Sequence, residues 1–162
     1  MSGTSISFGT KAVYNSGGNT YWNTVAFAGS NKFVVAYSNG GNSSAGQLSV
    51  GTISGSSISF GSATVFLSTS TTPGKIAFDP YNANDFILVY RGAYQGTAIS
   101  GQLIGSTFTL LTPVEYSPAG SIYSNFSWVA YDPNTEGRIV VTYQPTSGTY
   151  DDQARIRIGS LS

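Results

Sequence analysis

The sequence predicts an all-β chain built from three four-stranded repeat units. Three observations carry this expectation. Short runs rich in Val, Ile, Phe, Tyr and Thr alternate with clusters of Gly, Asn, Asp, Pro and Ser, the pattern of strands and turns. No stretch shows a helical apolar period behind a capping residue. The apolar phrases recur about every 50 residues, a spacing that marks repeats, propellers or arrays.

Each unit reads as four strands. The first strand is "TVAFA" at 24–28, with "IAF" at 76–78 and "VAY" at 129–131 in the same place. The second is "KFVVAYS" at 32–38, matched by "FILVY" at 86–90 and "IVVTY" at 139–143. The third is "GQLSVGTISG" at 46–55, with "GQLIG" at 101–105 and "GSLS" at 159–162 as its later copies. The fourth is "SISFG", present at 5–9 and again at 57–61, and it runs on to Tyr14, Phe66 and Tyr116 in the three copies. Alternation along the second strands puts Phe33, Val35, Phe86, Leu88, Ile139 and Val141 on one core-facing side.

The copy at 5–9 has no third strand before it, and the third strand at 155–162 has no fourth strand after it. The chain thus reads as one domain, residues 1–162, of three units at 14–66, 67–116 and 117–162, with 1–13 as a closing outer strand. Rings of radial four-stranded blades close in this way, with both termini sharing one blade. Three blades are too few for a ring. The expectation is half of a six-bladed β-propeller, completed as a homodimer by strand exchange between termini. The alternative fold is a β-trefoil, which also has three four-stranded units.

The pattern made by "SISFG", "IAFDP" at 76–80, "FILVYR" at 86–91 and "GTAISGQLIG" at 96–105 resembles the roughly 50-residue propeller-like repeats of bacteriophage virion proteins, notably of marine and cyanobacterial phages. The likeness runs over nearly the whole chain. The first and third copies depart from it, with Ala28-Gly29 in place of Asp-Pro and Gln144 in place of Arg91. The resemblance implies a structural virion component, either a capsid decoration or a tail or fibre module for assembly or host attachment. Other virion proteins would be its partners. It would be made in the host cytoplasm.

Composition excludes several chemistries. The chain has no His and no Cys, which removes the commonest general base, thiolate metal sites and disulfides. Net charge is zero with no basic run, so no nucleic-acid partner is expected. No apolar run approaches a membrane span of about 18 residues, and the N-terminus lacks the pattern of a signal peptide. Asp79-Pro80 and Asp132-Pro133 occupy matching places and read as turns, with Asp ahead of Pro. The acids Asp85, Glu115, Glu136, Asp151 and Asp152 show no paired spacing for glycoside hydrolysis. The Asp-box of sialidases, Ser-x-Asp-x-Gly-x-x-Trp, is absent. No enzyme activity, cofactor or metal is expected.

The remaining candidates are aromatic. "NTYWNT" at 19–24 and "YSNFSW" at 123–128 precede the first strands of the first and third units. Tyr21, Trp22, Tyr123 and Trp128 beside Asn and Ser suit a glycan face by stacking and hydrogen bonding. Carbohydrate binding in the manner of a lectin, with host-surface glycans as ligand, is therefore the alternative function. The competing explanation for the same aromatics is packing between units.

Overall fold

A computed structural model of the chain describes residues 8–92, 95–117, 127–144 and 154–161. Among these it contains β1 (Thr20–Phe27), β2 (Lys32–Asn39), β3 (Ala45–Ser54), β4 (Ser57–Phe60), β5 (Thr64–Phe78), β6 (Asp85–Gly92), β7 (Gln95–Ile104), β8 (Thr107–Leu110), β9 (Val114–Glu115), β10 (Trp128–Tyr131), β11 (Arg138–Tyr143) and β12 (Arg155–Ser160). A single 3-10 turn lies at Gly40–Asn42, and no α-helix occurs among the described residues. The chain is all-β, with every pairing antiparallel.

The pairings repeat three times. β1, β2 and β3 form a meander whose third strand pairs with β4 along one half and with the start of β5 along the other. β5 then changes partners. Its first part pairs with β3 and its second part with β6, so one 15-residue strand ends the first unit and begins the second. β6 and β7 continue the second meander, and β8 and β9 take the place of β4 and the start of β5. β10, β11 and β12 form a separate three-stranded sheet. No sheet closes on itself among the described residues.

Two details depart from the sequence reading. The boundary expected at 66/67 falls inside β5, because repeat similarity marks sequence copies while hydrogen bonding runs across them. Of the outer strand expected at 1–13, residues 8–13 belong to no strand in the single chain, and residues 1–7 lie outside the described residues. A lone segment without a partner edge has no ladder to join. β12, the edge it was expected to meet, pairs with β11 alone among the described residues.

The units stack face against face. Val34, Ala36, Leu48 and Val50 of the first unit pack with Ile76, Phe86, Leu88 and Tyr90 of the second. On the other side of β6, Ile87 and Val89 pack with Val129, Ile139, Val141 and Tyr143 of the third unit. Phe33, Val35 and Tyr37 point the opposite way from Val34 and Ala36, and form a smaller cluster with Tyr14, Ile53 and Phe60. All six side chains expected in the core are buried. Each unit thus has a leading face, carrying Phe33, Phe86 or Ile139, and a trailing face, carrying Val34, Ile87 or Val140.

Close approach inside and between units depends on glycine. Phe33, Phe86 and Ile139 each lie directly across from a glycine of the third strand, Gly51, Gly101 and Gly159. The Phe33 ring fills the space where a Gly51 Cβ would stand. Between units, Gly74 of β5 packs against the chain entering β10. A Cβ there would stand 2.5 Å from the Ser127 carbonyl oxygen and 3.1 Å from that of Val89.

Candidate functional site

The aromatic candidates do not form one site. Tyr21 and Trp22 sit in β1, Trp128 begins β10, and both strands pack against β5 between them. Tyr123 lies outside the described residues.

Tyr21 has a local structural role. Its ring lies over Gly40, and its hydroxyl accepts a hydrogen bond from Asn19 Nδ2 at 3.1 Å. Around it runs an amide network. Asn15 Nδ2 donates to Thr20 Oγ1 and Asn39 Oδ1, and Asn39 Nδ2 donates to Gln47 Oε1. Trp22 differs. It occupies the β1 bulge between Tyr21 and Thr24, is half-exposed, and has φ of 51°, a left-handed conformation costly for a bulky side chain. Trp128 is exposed on the trailing face of the third unit, across from Thr142.

A cleft of about 490 Å³ opens between the second and third units, with Asp79, Asp85, Gln102 and Glu136 in its lining. Two of its carboxylates, Asp79 and Asp85, are engaged within their own turn. Asp79 accepts the Tyr81 N–H at 2.8 Å, and Asp132 accepts the Asn134 N–H at 2.8 Å, as the Asp-Pro spacing predicts. Asp85 accepts from Asn82 Nδ2 and Gln102 Nε2. The Asn134 N–H and the Arg138 guanidinium hold the Asp132 carboxyl below its ordinary value. Beside the cleft, burial pushes the Tyr131 phenol up, with Asp79 and Asp85 adding to the effect. No group of three metal-ligating side chains gathers among the described residues.

The more extensive feature is a pair of apolar end faces, which sequence reasoning missed. On the leading face of the first unit Val25 is 51% exposed, whereas its counterparts Ile76 and Val129 are 0% and 5% exposed. On the trailing face of the third unit Ile156 and Ile158 are 67% and 76% exposed, whereas Leu48 and Val50 in the same places are 0% and 3%. A signal was present. The runs "FVVAY" and "FILVY" are apolar at every position and "IVVTY" at all but Thr142, which marks strands buried on both faces. Each unit therefore wants a neighbour on each side.

No protein-family model matches the sequence, and no match is found among curated proteins or solved structures.

Proposed function

We propose that the chain is a structural component of a bacteriophage virion, a propeller-like module that decorates a capsid or builds a tail or fibre, and that it has no catalytic role. The observation that carries this reading is the pair of apolar end faces, equivalent in register to faces buried inside the chain. A protein whose largest unsatisfied surfaces repeat its own internal interfaces works by assembly. The stack in a row, with the first and third units each against the second, favours propeller blades over a trefoil. The likeness of the repeats to phage propeller proteins supplies the virion context.

Carboxylates committed to turns and a chain without His support the non-enzymatic reading. Mass spectrometry of purified particles tests the proposal. Many copies per particle are expected. Absence from particles, or turnover of a polysaccharide abolished by one acidic substitution, contradicts it.

Carbohydrate binding remains a second reading, and one observation favours it. Trp22 holds a strained, half-exposed conformation beside Tyr21. Strain of this kind concentrates at binding sites. Glycan-array binding that disappears in Trp22→Ala would make this the leading function.

A further inference from the structure

We propose that a second copy of this chain docks head-to-tail on the first, its third unit filling the leading face of the first unit and its β12 edge pairing with the segment at residues 8–14. The proposal rests on the assembly reading above and names the partner.

Three aromatic contacts carry the argument. Phe66, from the fourth strand of the first unit, meets Tyr90 of the second unit with ring centroids 5.2 Å apart at 63°. Tyr116, from the end of the second unit, meets Tyr143 of the third at 5.4 Å and 60°. Tyr14 meets Tyr37 of the first unit at 5.1 Å and 66°. The three are one contact repeated. In the first two, the fourth strand of one unit lies on the leading face of the next. Tyr14 therefore stands where the fourth strand of a unit preceding the first would stand.

The first three strands of that preceding unit are missing from the place. Their absence leaves Val25 and Phe27 uncovered, with Phe27 67% exposed. The third unit is the complementary piece. It has three strands, no fourth strand among the described residues, and a trailing face on which Trp128, Ile156 and Ile158 are exposed. It lacks what residues 8–14 provide, and it provides what they lack.

The register agrees. Phe60 pairs with Gly51 and Leu110 pairs with Gly101. By the same alignment Phe8 pairs with Gly159, and Phe8 is 92% exposed. The two end faces differ, so the contact is heterologous and must close into a ring or run on as a fibre. Propellers usually hold about four to eight blades.

The chain has no cysteine, so engineered thiols report the contact cleanly. Phe8→Cys and Gly159→Cys chains are prepared separately, mixed, exchanged and oxidised. The mixture should give a covalent two-chain species on a non-reducing gel, and neither variant alone should give one. Cross-linking of either variant with itself would mean like faces meet, and would overturn the proposal. A Gly159 side chain would crowd Ile139 at 3.2 Å, so a second variant avoids that site. Phe27→Glu alters an exposed position and should convert a two-chain mass to a one-chain mass with an unchanged β-sheet circular dichroism spectrum. An unchanged two-chain mass in Phe27→Glu, or a one-chain mass in the unaltered protein, overturns the docking. A one-chain protein still found in many copies on particles would sink this inference and leave the structural reading standing.

Discussion

The second and third units carry the same strands in the same register, yet only the second is enclosed. β6 is apolar on both faces, and Phe86, Ile87, Leu88, Val89 and Tyr90 are all buried between flanking units. β11 repeats the pattern except at Thr142, which stands where β6 has Val89. Ile139, Val141 and Tyr143 are buried, whereas Val140 and Thr142 on the trailing face are partly exposed. At Val140, apolar like its counterpart Ile87, the difference lies in the neighbour: no unit covers it among the described residues. A unit of this kind is complete when something covers both its faces, and among the described residues one unit of three meets that condition.

The largest break in this comparison comes from the enclosed unit. Phe86→Ala removes a fully buried ring that contacts Phe78 and Phe108. It should cost about 3–5 kcal/mol in denaturant unfolding, enough to cripple folding. Phe27→Ala, at the matching end of an uncovered face, should cost less than half of that in a dilute, dissociated sample. Equal losses would mean the face is covered by something within the chain.

Alkaline pH sharpens the same contrast at the repeated aromatic contact. Burial raises the Tyr116 phenol from 10.0 to about 12 at the covered contact between the second and third units. At the open end, burial and then Tyr37 raise Tyr14 as well. A folded-state pKa above the unfolded value means stability that is full below pH 10.0 and is lost as pH rises through about 12. Across that window the loss attributable to Tyr116 amounts to about 3 kcal/mol. Phenolate absorbance should show a late-titrating class coincident with loss of tertiary structure, and Tyr116→Phe should postpone that loss. Titration of every Tyr near pH 10.0 in the folded protein would contradict the burial.

Gly74→Ala probes the seam itself. The added Cβ would push against the Ser127 carbonyl and force β5 away from β10. Overpacking of this kind costs about 1–3 kcal/mol. The same change at Gly55, which has open space around it, meets only the cost of its left-handed φ of 59°. Unfolding midpoints of the two variants separate the effects, and Gly74→Ala should be the worse.

The smallest effect belongs to the exposed turn of the third unit. The Asp132 carboxyl is held low by the Asn134 N–H and Arg138, so its support is present above the ordinary carboxylate range and lost as pH falls through the lowered value. Asp132→Asn should lower stability slightly at neutral pH, leave it unchanged below the lowered carboxyl value, and so flatten the acid limb.

Much of this fold was legible in the sequence. The copies at Phe33, Phe86 and Ile139 gave the second strands, and Asp-Pro gave the longer turns after Phe78 and Tyr131. The first unit makes the same connection with a tighter turn in which Lys32 N–H donates to the Gly29 carbonyl. Partner exchange along β5 was not legible, because β-propensity does not say which edge a strand meets. The candidate site was less legible still. Tyr21, Trp22 and Trp128 looked alike as aromatics near polar residues. Their surroundings divide them into a ring over Gly40, a strained bulge and an exposed face. Exposure of Ile156 and Ile158 depends on what lies beyond the third unit, which local sequence does not encode.

The measurement closest to the central claim is the solution mass of the unaltered chain by light scattering, taken across a dilution series. The account predicts a mass near twice 16.9 kDa that falls toward 16.9 kDa on dilution, with the melting temperature falling alongside because folding and association are linked. A mass of 16.9 kDa at every concentration, with a melting temperature that does not move, would contradict it.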